Sequence, residues 1–143
     1  MSLGVGRLIY ILMIQRNDLK KIAQTRLKDA DILMDSKRYD GAIYLCGYAI
    51  ELALKARICR TLKWKGYPSS NKEFENYRTF RTHDLDVLLH LTGLEKSIKT
   101  VYFAEWSAVA KWNPTARYQP IGTTNKNDAQ LMISAAKILI GKI

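Results

Sequence analysis

Three residues between positions 78 and 83 have the side chains for cutting RNA without a metal ion. The sequence there reads Arg78-Thr-Phe-Arg81-Thr-His83. A histidine acts as general acid or base near neutral pH, and an arginine, Arg78 or Arg81, stabilises the charge on a phosphate in the transition state. In the alternative, His83 lies in the first turn of a helix and hydrogen-bonds a nearby loop or a carboxylate such as Asp84 or Asp86. The spacing alone leaves both open.

Glu51 places a charge inside an otherwise apolar stretch of the sequence. A carboxylate is costly to bury alone, so the residue needs a partner. Lys55 is one helical turn further on, and Arg117 in a later loop can reach Glu51 from another segment. We predict a structural ion pair of Glu51 with Lys55 or Arg117; the alternative is a ligand-binding carboxylate.

The chain is strongly basic, and one stretch is densely so. It has 23 Lys and Arg against 13 Asp and Glu, a formal net charge of +10. Such an excess favours polyanionic partners. The candidate phosphate ligands are Arg57, Arg60, Lys63 and Lys65, and Trp64 or Tyr67 could stack on a base. A solvated basic helix end that suits the helix dipole is the plainer interpretation.

Several classes of site are absent from the sequence. It has no Walker loop, no GxGxxG and no HExxH motif. With two histidines and two cysteines, a closed zinc site would need almost all of them, so we expect neither metal nor cofactor. Cys46 and Cys59 fall in one predicted helix, too far apart to bond, which suggests a reducing, cytoplasmic compartment. The apolar run from Leu8 to Ile14 is too short to cross a membrane.

Apolar residues recur at helical spacing throughout the chain, and no segment alternates long enough to require a strand. The predicted helices span 17–36, 39–65, 82–92, 94–112 and a last one from Thr124 or Asn125, with a loop at 68–81. Short connections make neighbouring helices antiparallel. The fold class is therefore all-α, an up-and-down antiparallel bundle of about five helices.

The 143 residues are enough for one domain, which we place at 16–143. Residues 1–15 form an N-terminal extension. Met1-Ser2-Leu3 resembles vector-derived sequence, and Met13 would serve as the initiator if the start is mis-assigned.

Two motifs resemble the HEPN domain family. The run from Tyr39 to Ala56 ends in Glu51-Leu-Ala-Leu-Lys55-Ala, and Thr82-His83-Asp-Leu opens the third predicted helix. Arg117-Tyr118 is a weaker third element. The resemblance, over about 17–141, implies a helical bundle that is usually a homodimer. It also implies a minimal nucleotidyltransferase as a partner, or a place in a toxin–antitoxin or defence system.

Members of this family are either RNA-cutting toxins or non-catalytic modules that bind RNA or a nucleotide. The nucleases carry Arg, then His four to six positions on, at the start of a late helix. No such motif follows His90, and Arg78 to His83 has the spacing but precedes the third helix. We therefore expect a non-catalytic binding domain. The alternatives are a metal-independent endoribonuclease using His83 with Arg78 or Arg81, and a protein-interaction subunit anchored by Trp106 and Trp112.

Overall fold

The computed structural model describes residues 13–143. Its α-helices are α1 (Arg16–Asp35), α2 (Tyr39–Leu62), α3 (Asn71–Phe74), α4 (Leu85–Thr92), α5 (Glu95–Val101), α6 (Phe103–Val109) and α7 (Lys126–Ile140). Two short strands, β1 (Met13–Gln15) and β2 (Gly66–Pro68), and two 3-10 turns, Arg78–Phe80 and Pro114–Tyr118, complete it. The predicted all-α class is confirmed.

Helix α2 is the centre of the bundle because it is apolar on nearly all sides. A three-residue turn, Ser36 to Arg38, reverses the chain after α1, so α1 and α2 pack along their lengths. Helices α4 and α7 also pack against α2, and α6 packs against α7. Leu19, Ile50, Leu54 and Leu139 from three of these helices are fully buried in one core.

The predicted helix over 94–112 is in fact two, because the backbone leaves the helical region at Tyr102 (φ −119°, ψ 38°). This break turns Trp106 inward, where its Nε1 donates to Asp86 Oδ1 of α4 over 2.9 Å. Trp112 packs edge-on against Tyr48, with ring centroids 5.0 Å apart. Both tryptophans are therefore core residues and do not anchor a partner protein.

The structure adds one small two-stranded sheet to the predicted helical bundle. Strand β1 pairs antiparallel with β2, with Met13 opposite Pro68 and Gln15 opposite Gly66. Each strand has only three residues, which is too short for an alternating pattern to be recognised in the sequence. Residues 1–12, most of the predicted extension, lie outside the described residues, whereas 13–15 are hydrogen-bonded to the bundle.

The segment 68–81, predicted as a loop, contains α3 and the 3-10 turn at Arg78–Phe80. Ser70 and Glu73 form a reciprocal capping box that starts α3. Asp84, rather than Thr82, caps α4 by accepting from the backbone N–H groups of Asp86 and Val87. Over residues 13–143, no helix is long and apolar enough to cross a membrane.

Candidate nucleic-acid interface

A basic pocket of about 240 Å³ lies between the start of α1 and the last turns of α2. We call it the basic pocket; its cationic side chains are Arg16, Lys20, Arg57 and Arg60, and no carboxylate side chain lines it. Arg57 and Arg60 are one helical turn apart at the end of α2, and Arg16 and Lys20 are one turn apart on α1. Packing of α1 on α2 brings the two pairs together.

The guanidinium of Arg57 is partly withdrawn from water in this pocket. Burial, together with the charge of Arg60, lowers the pKa of Arg57. Its Nε is buried and has no hydrogen-bond partner among the described residues, while Nη1 donates to the Ile143 carbonyl at 3.3 Å. An arginine stays protonated in proteins, so a bound anion would offset both the desolvation and the repulsion.

The small sheet positions Arg16. Its backbone N–H donates to the carbonyl of Lys65 over 3.1 Å, which holds the start of α1 beside β2. Arg16 and Lys20 are not predicted as ligands from the sequence, because its pattern gives no reason to place them next to Arg57. Their four-residue spacing at a helix start was the available signal.

Lys63 and Lys65 lie outside the basic pocket, in a neighbouring concavity that we call the middle groove. Arg16, Lys21 and Arg60 also line it. Lys63 is the C-cap of α2 and adopts a left-handed backbone conformation (φ 57°), with its N–H directed to the Arg60 carbonyl. The structure thus divides the four predicted phosphate ligands between two adjoining concavities, and Arg60 lines both.

The two aromatic residues predicted to stack on a base, Trp64 and Tyr67, differ in their exposure. Tyr67 is only 1% exposed, and its hydroxyl donates to the Phe80 carbonyl over 2.5 Å, so it cannot stack on a base. Burial is the main cause that raises the pKa of Tyr67. Trp64 is half-buried, lines the middle groove and packs against Phe80 with ring centroids 4.9 Å apart. Only Trp64 of the pair remains available.

Glu51 lies at a second cluster, on the side of α2 that meets the start of α4. The residue is 2% exposed; its Oε2 accepts from Lys55 Nζ at 3.1 Å and its Oε1 lies 2.8 Å from His83 Nδ1. Lys55 Nζ also lies 5.2 Å from the centroid of the Tyr67 ring. The structure therefore places His83, rather than Arg117, beside the Glu51–Lys55 pair.

Arg117 is fully exposed instead. Its Nη1 donates to the Pro114 carbonyl at 3.1 Å, and its guanidinium lies 4.6 Å from the Tyr118 ring centroid. No ion pair joins the Arg117 side chain to Glu51 in the described part of the chain. The expectation that it completes the Glu51 pair does not hold.

The two arginines near His83 are exposed. Arg78 lies in the 3-10 turn, and the guanidinium of Arg81 lies 5.8 Å from the centroid of the Phe74 ring. Within residues 13–143, no hydrogen bond joins either of them to His83. The His83 side chain is 58% exposed. Its Nδ1 contacts Glu51, which leaves Nε2 as the nitrogen available to another molecule.

The remaining ligand-type side chains form no metal site. Across residues 13–143, no group of three or more His, Cys, Asp or Glu side chains is arranged to hold a metal ion. Cys46 and Cys59 are free and buried, and burial raises their pKa values to about 12 and about 11. Neither is placed to act as a nucleophile or a ligand.

The model of the HEPN domain matches residues 17–70, just over a third of the chain. Residues 17–70 are therefore similar to the HEPN domain family. No curated protein and no solved structure matches the chain. The matched segment contains α2, β2 and all of α1 except its first residue, Arg16. It therefore includes Glu51, Lys55 and most of the basic residues described above. It ends before Arg78, Arg81 and His83.

Proposed function

We propose that this chain is a non-catalytic HEPN-like domain that binds RNA or a nucleotide through its phosphate groups. The observation that carries the proposal is the basic pocket, where four cationic side chains from α1 and α2 converge and no acidic side chain is part of the lining. The guanidinium of Arg57 also has a buried Nε with no hydrogen-bond partner among the described residues. Neutralising phosphates releases counterions, which gives such binding its driving force.

The biological setting is part of the same proposal. The family resemblance supports three further parts of the proposal: a homodimer, a minimal nucleotidyltransferase as partner, and a role in a cytoplasmic toxin–antitoxin or defence system. Size-exclusion chromatography with light scattering, with and without the co-expressed nucleotidyltransferase, measures both assemblies. A chain that stays monomeric and elutes apart from that protein would remove this part and leave phosphate binding untouched.

Fluorescence anisotropy with a labelled RNA at several salt concentrations tests phosphate binding. We expect Arg57→Gln/Arg60→Gln to weaken binding at least tenfold and to lower the slope of log K against log salt by about 1 to 2. Lys96→Gln/Lys111→Gln is the matched control, since it removes the same charge from exposed positions outside the pocket. Equal losses in the two double variants would mean that only net charge matters, and the proposal would fail.

A metal-independent endoribonuclease is the second candidate, and one contact favours it. Glu51 Oε1 at 2.8 Å holds His83 Nδ1, so that Nε2 faces outward as a general acid or base would need. Incubation with a mixed RNA pool in excess chelator, beside His83→Ala and Arg78→Ala, separates the candidates. Cleavage that both substitutions abolish establishes the nuclease; intact RNA that still binds establishes the non-catalytic module.

A further inference from the structure

A third concavity continues the basic surface beyond the middle groove. We call it the aromatic groove; its lining includes Lys63, Trp64, Lys65, Lys72 and Tyr77. It shares Lys63, Trp64 and Lys65 with the middle groove, which in turn shares Arg16 and Arg60 with the basic pocket. The three concavities therefore adjoin one another, and we call the surface that they form together the track.

Cationic side chains greatly outnumber acidic ones in the lining of this track. Its lining holds eight cationic side chains: Arg16, Lys20, Lys21, Arg57, Arg60, Lys63, Lys65 and Lys72. Two acidic side chains line it, those of Asp18 and Glu73, and Glu73 is engaged in the capping box with Ser70. A polyanion gains favourable electrostatic contacts in each concavity that it reaches, so a longer polyanion binds more tightly.

The aromatic groove, at the end of the track away from the basic pocket, contains partly exposed aromatic rings. Trp64 and Tyr77 pack edge-on with centroids 5.3 Å apart, and Tyr77 is 45% exposed. Phe80 packs against both rings, with centroids 4.9 Å from Trp64 and 6.0 Å from Tyr77, and so fixes their orientation. Rigid aromatic rings beside a cationic groove are the usual platform for an unpaired base.

The volumes of the three concavities indicate which part of a ligand each one can hold. The basic pocket, at about 240 Å³, is below the roughly 300–1,000 Å³ of sites that enclose a whole small molecule. The middle and aromatic grooves add about 640 and 770 Å³. The basic pocket thus suits a phosphate group, and a ligand that fills it extends into the adjoining grooves.

We infer that the ligand is a single-stranded oligonucleotide, with phosphates at the basic pocket and middle groove and a base on Trp64 and Tyr77 in the aromatic groove. The inference rests on the proposed phosphate binding and deepens it. A duplex is disfavoured because its bases are paired with each other and cannot leave the stack to pack on these rings.

Anisotropy with a labelled eight-nucleotide single-stranded RNA, the same sequence as DNA, and the RNA duplex tests the inference, with unlabelled uridine monophosphate as a competitor. We expect Tyr77→Ala and Trp64→Leu each to weaken binding of the RNA octamer about tenfold and to leave competition by the monophosphate unchanged. Tyr118→Ala is the matched control, an exposed tyrosine outside the track. We also expect the duplex to bind more weakly than the single strand.

Octamer binding unchanged by Tyr77→Ala, or a duplex that binds as tightly as the single strand, overturns the inference. Phosphate binding through Arg57 and Arg60 would then still stand. If neither octamer nor monophosphate binds the parent, the proposed function fails as well. Tyr77 is exposed, so Tyr77→Ala remains informative even if Trp64→Leu is unstable. The ratio of RNA to DNA affinity identifies which strand the track selects.

Discussion

Glu51 Oε1 lies 2.8 Å from Nδ1 of His83, a residue 32 positions later in the chain. The contact ties the buried face of α2 to the loop that leads into α4. The same carboxylate accepts from Lys55, so one buried charge serves a local partner and a distant one. This arrangement explains how a glutamate is accommodated inside the central helix.

Removing Lys55 should cost more than neutralising Glu51. Lys55→Met leaves a buried carboxylate with only His83 beside it, and we expect the free energy of unfolding to fall by about 3 kcal/mol. Glu51→Gln keeps the shape and leaves Lys55 able to reach water, so its cost should be smaller. Lys55→Met/Glu51→Met should recover most of the loss. Urea denaturation measures all four proteins; a double variant less stable than Lys55→Met contradicts the argument.

Gly47 should not tolerate a methyl group. A Cβ there would lie 2.0 Å from Cε2 of Trp112, inside the core. We expect Gly47→Ala to lower the free energy of unfolding by about 3 kcal/mol or more. Gly41→Ala is the matched control: its Cβ would lie 3.2 Å from Leu33 Cδ1, a flexible methyl, and higher helix propensity offsets the displacement. Similar thermal midpoints for the two variants would show that Trp112 yields easily.

Asp40 anchors the loop before α7. Its carboxylate accepts from the backbone N–H groups of Gly122 at 2.7 Å and Thr124 at 2.9 Å. These hydrogen bonds lower the pKa of Asp40. A lowered pKa stabilises the fold above the pKa of the unfolded state and loses that effect as the pH falls through the folded value.

We therefore expect Asp40→Asn to lower the free energy of unfolding by about 1 kcal/mol at pH 7, after allowance for solvent screening. The difference from the parent should shrink below about pH 4. Urea denaturation at pH 7 and in acid measures it. Asp35→Asn, at an exposed position without a salt bridge among the described residues, is the control. A penalty for Asp40→Asn that is the same at both pH values would contradict the assignment.

The two thiols should be inert in the folded protein. With pKa values of about 12 and about 11, fewer than about one thiol in a thousand is ionised at pH 8. We expect no reaction of Cys46 or Cys59 with a disulfide reagent in native buffer, and reaction of both after unfolding in guanidinium. Rapid labelling of the native protein would show that one of these core sites opens locally.

The sequence by itself determined the helical class, the apolar character of α2 and the start of α7 at Thr124 or Asn125. These properties follow from local periodicity and capping chemistry, which act over a few residues. The same local rules could not reveal the one-residue break at Tyr102, because apolar spacing continues on both sides of it. These rules also do not predict the sheet of β1 and β2, because each strand has only three residues.

Only the tertiary structure decided which side chains meet. Lys55 was within reach of Glu51 along one helix, whereas the choice of His83 over Arg117 depends on how α4 packs against α2. Likewise, the pairing of α1 with α2 and of β1 with β2 places Arg16 beside Arg60. Contacts between distant segments depend on the packing of whole helices, and the charge of a residue alone does not specify that packing.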